Sequence, residues 1–254
     1  MAEAFFWAAL AGYAFASIAY FRLGHVATWG VRLGWLAQTA LLGVQAADAN
    51  GFPWATWSGS LNLFVWLVVG AYLIWGCTPR YRLLGLAVMP LATVLLAVSY
   101  AGGGTSGHTS GYSSLFLVVH VGLVLAAFAG FTLAAGLSAL YLWQDRRLKR
   151  HEARILRVRV PALVTLDNLA GRTIAIALPA LTLGIIAGLI RLGLHGGGFD
   201  ALMAVTIVTW AVYGGFLLLR YEAGWHGRKA AYLLLVGFAL VIAVRLGLPT
   251  VHFS

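Results

Sequence analysis

Two histidines stand apart from the rest of this chain. His120 lies in the segment LFLVVHVGLVLAAF, with no polar side chain elsewhere between Leu115 and Leu125. A neutral imidazole in such surroundings needs a hydrogen-bond partner or a metal. His252 lies close to the end of the sequence, in PTVHFS. If both reach the same membrane surface, two imidazoles facing one another suit bis-axial ligation of haem iron. Haem also carries two propionates, which need cationic partners, and Arg191 and Arg245 are placed to supply them. Arg245 precedes His252 by about two helical turns. A plainer reading stands beside each assignment. His120 then bonds a neighbouring helix, His252 is a solvated tail residue, and the two arginines snorkel to lipid phosphate. Of the other histidines, His25, His151 and His226 read as ordinary residues of the inner surface. His108 falls in a Gly/Ser-rich loop, and His195 in a short loop before the seventh apolar run. Cys77 is the single cysteine, so neither a disulfide framework nor a cysteine-based metal site is expected.

The elements that must position these groups are membrane helices. The chain has 254 residues, of which 61% are apolar and only 9% charged. A water-facing surface cannot be built from so few charges, since soluble domains carry about 25%. The apolar residues come in runs long enough to cross a bilayer, about 20 residues each. The predicted spans are residues 4–21, 29–47, 59–77, 83–100, 114–143, 172–192, 200–219 and 229–247, forming one transmembrane domain. The fold class is all-α, a polytopic helical bundle of about eight transmembrane helices. The segment 161–171, PALVTLDNLAG, is too short and too polar to span, and reads as an interfacial lead-in opened by Pro161. The N-terminus does not read as a secretory signal, because Glu3 precedes the apolar stretch and Arg22 follows it.

The connections alternate in chemistry. Basic residues cluster at Arg22 and Arg32, at Arg80 and Arg82, from Arg146 to Arg159, and at Arg220, Arg228 and Lys229. The intervening loops are Gly-rich or weakly acidic. With Arg172 counted on the basic side, only Arg191 and Arg245 of the 17 basic residues fall elsewhere. The positive-inside rule places the basic loops in the cytoplasm and both termini outside, as for a bacterial-type inner membrane. Trp54 and Trp57 fit an outer aromatic belt, and Trp75, Trp143 and Trp225 an inner one. The net charge of +10 is therefore a topology signal with attraction to anionic lipid, not a nucleic-acid footprint. The basic run 146–159 reads as a helix extension into the cytoplasm. The fifth span carries Gly122, Ala126, Gly130, Ala134 and Ser138, a small-residue stripe that admits a closely packed neighbour. Pro90 and Pro179 fall inside spans.

From Ser114 onward the chain resembles the cytochrome c assembly protein family, the polytopic haem-handling proteins of the CcsA and CcmC type and their HemX-like relatives. Three long stretches carry the resemblance: HVGLVLAAFAGFTLAAGLSALYLWQDRRLKR (120–150), VPALVTLDNLAGRTIAIALPALTLGIIAGLI (160–190) and TWAVYGGFLLLRYEAGWHGRKAAYLLLVGFAL (209–240). The terminal histidine in VHFS completes it. The first four spans look like the HemX-like subgroup. The resemblance implies that His120 and His252 ligate an externally exposed haem, the same two residues that topology selects. It also exposes departures. The family's Trp-rich outer loop corresponds here to LGLHGGGFDALMAV, where Asp200 is kept and Phe199 replaces a tryptophan. The other tryptophans, a lysine and a glutamate are missing. At a second-helix position where HemX-like relatives can carry histidine, this chain has Gln38, so no second, inner haem site is expected there.

The function these features imply is a haem-binding membrane protein of cytochrome c maturation or haem handling. Haem b is its expected cofactor, held near the outer leaflet by His120 and His252, with Arg191 and Arg245 on the propionates. Its expected partners are haem, the lipid bilayer and a cytochrome c assembly partner or haem-biosynthesis enzyme, with no nucleic acid. The alternative is a non-enzymatic HemX-like regulator or scaffold acting through the basic 144–160 loop. A small-molecule permease ranks third, because the spans lack internal repeats and paired intramembrane acids. The nearest approach to a buried ion pair is Asp167 with Arg172, at the inner interface. No hydrolytic or transferase constellation is present, so a binding protein is expected rather than a self-sufficient catalyst.

Overall fold

The computed structural model describes residues 1–20, 24–48, 53–54, 56–75, 82–103, 115–150, 161–195 and 201–247. Among the described residues all regular structure is helical. In chain order the helices are α1 (Ala2–Ala19), α2 (Gly24–Asp48), α3 (Trp57–Trp75), α4 (Arg82–Ala101), α5 (Leu115–Lys149), α6 (Leu163–His195), α7 (Ala201–Tyr221) and α8 (Arg228–Gly247). Each overlaps one of the eight expected spans. Six of them (α1, α3, α4, α5, α6 and α7) are long and apolar enough to cross a membrane. α2 carries Arg32, Gln38 and Gln45 along its length, and the later side chains of α8 lie outside the described residues. The protein is a multi-pass membrane protein.

One boundary differs from expectation. The segment 161–171 is not a separate lead-in, because α6 already begins at Leu163 and runs unbroken to His195. The Ala162 carbonyl accepts from the N–H groups of Thr165 and Leu166 and so starts the helix just after Pro161. Nothing in 163–171 breaks a helix, and Gly171 is tolerated because the Arg220 side chain lies against its backbone. Helix α5 extends past its apolar part to Lys149, as its basic end suggested. The remainder of the basic run, 151–160, lies outside the described residues.

The chain forms two compact units, one within Met1–Val118 and one within Val119–Pro249. In the first, α1 packs on α2 and α4, and α3 on α2 and α4. The α1–α2 contact is close because glycines face one another. A Cβ on Gly12 would stand 2.8 Å from the Gly34 Cα, and one on Gly34 would meet the Tyr13 ring at 2.9 Å. Beneath them Tyr13 Oη donates to Gln38 Oε1 at 2.7 Å, and Gln38 Nε2 donates to Asn62 Oδ1 at 2.7 Å. All three side chains are fully buried. Gln38 thus serves as an interhelical hydrogen-bond bridge, as polar side chains inside membrane bundles commonly do.

In the second unit, α5 and α6 meet through small residues. A Cβ on Gly130 would stand 2.7 Å from the Ala177 Cβ, and one on Gly184 would stand 2.8 Å from Val124 Cγ2. The expected stripe on α5 therefore does receive a neighbouring helix at Gly130. Phe131 stacks on Tyr213 of α7 at 3.9 Å between ring centroids. Helix α7 packs on both α6 and α8. The turn between α7 and α8 contains Gly224 and Gly227, both at positive φ, where a side chain would be strained.

Candidate functional site

His120 stands near the start of α5, half-buried, and faces α6. Its Nδ1 lies 2.7 Å from the Gly184 carbonyl oxygen. A carbonyl oxygen only accepts, so Nδ1–H is the donor, and in the neutral ring Nε2 carries the lone pair. Gly188, one turn further along α6, provides the seat for the ring. A Cβ there would stand 2.8 Å from His120 Cε1 and 3.2 Å from Nδ1. Arg191 follows on the same face of α6, because Gly184, Gly188 and Arg191 are spaced i, i+4, i+7. It lies about 4.5 Å further along the axis than Gly188, toward the end of the helix, and is half-buried.

The second unit thus brings His120 and Arg191 to one end of the α5–α6 pair. His252 lies outside the described residues, as do 196–200 and the side chains of His195 and Arg245. The plainer expectation for His120, a hydrogen bond to a neighbouring helix, is met. That bond also fixes the tautomer an axial ligand needs, because metal-bound imidazoles commonly donate their other N–H to a protein acceptor.

At the opposite end of the same helices lies an ion-pair cluster that differs from the expected one. Asp167 is paired with Arg220 of α7, not with Arg172, which is exposed. Asp167 and Arg172 are five residues apart on one helix, which turns them about 140° from each other. Arg220 Nη2 donates to Asp167 Oδ2 at 3.0 Å and to Asn168 Oδ1 at 3.1 Å. His226 Nδ1 stands 3.1 Å from the same Oδ2. The Gly227 N–H donates to Oδ1 at 3.0 Å. The Arg220 side chain is only 7% exposed and that of Asp167 10%. Asp167 therefore ties the start of α6 to the end of α7 and to the α7–α8 turn. Beside this cluster is a cavity of about 460 Å³ bounded by Tyr141, Leu163, Val164, Asn168 and His226.

This end also collects cations and tryptophans. The Arg147 guanidinium lies over the Trp143 ring at 4.6 Å, and the Lys229 ammonium over Trp225 at 5.7 Å. Asp145 pairs with Lys149 at 3.4 Å and with Arg228 at 3.2 Å. The aromatic and basic residues expected at the inner interface are thus brought together in pairs.

Residues 54–252 match the cytochrome C assembly protein family along most of the chain. The chain belongs to that family. It is similar to the cytochrome c biogenesis protein CcsA of Gloeothece citriformis, with 26% identity over 288 residues, covering 93% of this chain and 87% of the relative. The CcsA protein of Microcystis aeruginosa is 27% identical, with 93% and 88% covered. That of Guillardia theta is 25% identical, with 82% and 77% covered. The aligned length of 288 exceeds the 254 residues of this chain. The relative therefore has residues within the matched region that this chain lacks.

Proposed function

We propose that this protein binds haem b at the outer face of a bacterial-type inner membrane and handles it during cytochrome c maturation. His120 Nε2 supplies one axial ligand and His252 the other. Arg191 and Arg245 pair with the haem propionates. Both termini lie on the outer side, and the basic ends of α5 and α8 lie in the cytoplasm.

The observation that carries this reading is the bond from His120 Nδ1 to the Gly184 carbonyl at 2.7 Å. It fixes the ring orientation and leaves Nε2 as the basic nitrogen, the arrangement a haem iron requires. The chemistry of the donor set agrees. His120 stands in apolar surroundings, its ring is seated on a glycine, and a cation occupies the same face of α6. A cation on that face would suit a haem propionate. When bound, haem would bring iron and four equatorial nitrogens. The protein's part would be to hold it through His120 and His252 and to keep its propionates at the membrane surface. The names of the CcsA relatives support cytochrome c biogenesis as the setting, with an assembly protein or a haem-biosynthesis enzyme as the macromolecular partner.

Haem titration of the purified full-length chain in detergent tests the proposal. The wild type is expected to give the low-spin spectrum of a bis-imidazole site. His120→Ala is expected to lose that spectrum and to weaken binding by at least tenfold. An unchanged spectrum in His120→Ala would overturn the assignment.

A further inference from the structure

Where the end of α5 meets the start of α8, two guanidinium groups converge on one neutral oxygen. Arg146 Nη2 donates to Tyr232 Oη at 3.4 Å, a long bond to an uncharged acceptor. The Arg228 side chain lies beside the same hydroxyl. Two guanidinium groups within hydrogen-bonding reach of one oxygen stand within about 7 Å of each other. That is inside the screening length of about 8 Å, so they repel.

The carboxylates nearby do not remove this repulsion. Arg228 gives its Nε to Asp145 at 3.2 Å. Asp145 is shared with Lys149, so one carboxylate serves two cations. A guanidinium has five N–H donors, and this pair does not exhaust Arg228. Arg146 pairs with no carboxylate among the described residues. The last turn of α5 and the first of α8 hold Arg146, Arg147, Lys149, Arg150, Arg228 and Lys229 against Asp145 alone. Arg147 and Lys229 lie over Trp143 and Trp225, which leaves Arg146 as the cation without an ionic or aromatic partner at this junction. The Tyr232 oxygen accepts from Arg146, so its own O–H remains to donate.

The missing element is an anion rich in acceptors. A phosphodiester takes a guanidinium and a hydroxyl together, and its charge lets two guanidinium groups share one place. The level in the membrane says which phosphodiester. Trp143 lies one turn before Arg146 and Trp225 one turn before Arg228, and tryptophans mark the headgroup region. Arg146 and Tyr232 are both exposed. One turn deeper on the same face of α8, Val236 is exposed as well. Apolar surface for an acyl chain thus continues directly below the place for the phosphate. A free anion would use the charge but not that surface.

We infer that Arg146, Tyr232 and Arg228 form a binding site for the headgroup phosphate of an anionic phospholipid, at the end of the bundle that the positive-inside rule assigns to the cytoplasm. The lipid joins the end of α5 to the start of α8. The inference is independent of the haem reading, because these residues stand at the opposite end of α5 from His120. It also differs from diffuse attraction to anionic lipid. Diffuse attraction responds to net charge alone, whereas a site singles out Arg146 among exposed arginines and uses the Tyr232 hydroxyl.

The test titrates the full-length protein, in a neutral detergent, with dioleoyl phosphatidylglycerol or dioleoyl phosphatidylcholine. Native mass spectrometry counts the lipids retained. The wild type is expected to hold one phosphatidylglycerol more tightly than phosphatidylcholine. Arg146→Gln is expected to weaken that binding by roughly fivefold or more, the worth of one cation at an anionic lipid surface. Tyr232→Phe leaves the net charge unchanged and is expected to weaken it by roughly threefold. Arg172→Gln removes the same charge from an exposed arginine on α6 and is expected to keep wild-type affinity. Wild-type affinity in either Arg146→Gln or Tyr232→Phe would overturn the site. Equal losses in Arg146→Gln and Arg172→Gln would also overturn it, in favour of attraction by net charge. Displacement of the bound lipid by millimolar inorganic phosphate would overturn the lipid assignment in favour of a free-phosphate site.

Discussion

Gly188→Ala isolates the seat of His120 with the smallest possible change. The added Cβ would stand 2.8 Å from His120 Cε1 and 3.2 Å from Nδ1. Ordinary carbon contacts are about 3.5–4.0 Å, so the gap must open by close to 1 Å. Backbone is not in the way, because the atoms met are the far end of a side chain. The ring will move and the helices will stay. That movement lengthens a hydrogen bond of 2.7 Å to the Gly184 carbonyl beyond useful range. Losing it costs about 1–2 kcal/mol and unfixes the tautomer. Haem affinity should fall by roughly tenfold, with the low-spin spectrum giving way to a mixture. The assay is haem titration followed by absorbance, with thermal melting in parallel to show an intact fold. Gly193→Ala is the control, since nothing lies within 4 Å of that position. Wild-type affinity and spectrum in Gly188→Ala would refute the argument that this glycine positions the ligand.

Two further outcomes follow from the packing. Asp167→Asn removes the partner of an arginine that is 7% exposed, and should destabilise the protein by about 3–5 kcal/mol. Asp145→Asn, whose partners Lys149 and Arg228 are largely exposed, should cost about 1 kcal/mol or less; equal melting temperatures for the two variants would contradict the assignment of Asp167 as the buried hub. Gly12→Ala sets a Cβ 2.8 Å from the Gly34 Cα and should cost about 1–3 kcal/mol by overpacking. Gly43→Ala meets nothing within 4 Å and should leave the melting temperature unchanged.

Residue sequence alone determined the architecture. Apolar runs of membrane length must be helical, because lipid offers no partner for unpaired backbone groups. Cation clusters between them supplied the expected orientation. The need of His120 for a polar partner was also legible, since an imidazole in an apolar run must be satisfied. What the tertiary structure decided was the partner of each polar group. Gly184, 64 residues from His120, supplies the carbonyl that locks its ring. Arg220, 53 residues from Asp167, displaces the nearby Arg172 as its ion-pair partner. His226 reads from the sequence as an ordinary surface residue, and its partner Asp167 lies 59 residues away. The one sequence signal was its place in GWHGRK, a turn beside two cations. A helix's apolar content fixes that it crosses the membrane. The rotational phase at which it meets its neighbours fixes which atoms touch, and that phase is set by packing across helices far apart in the chain.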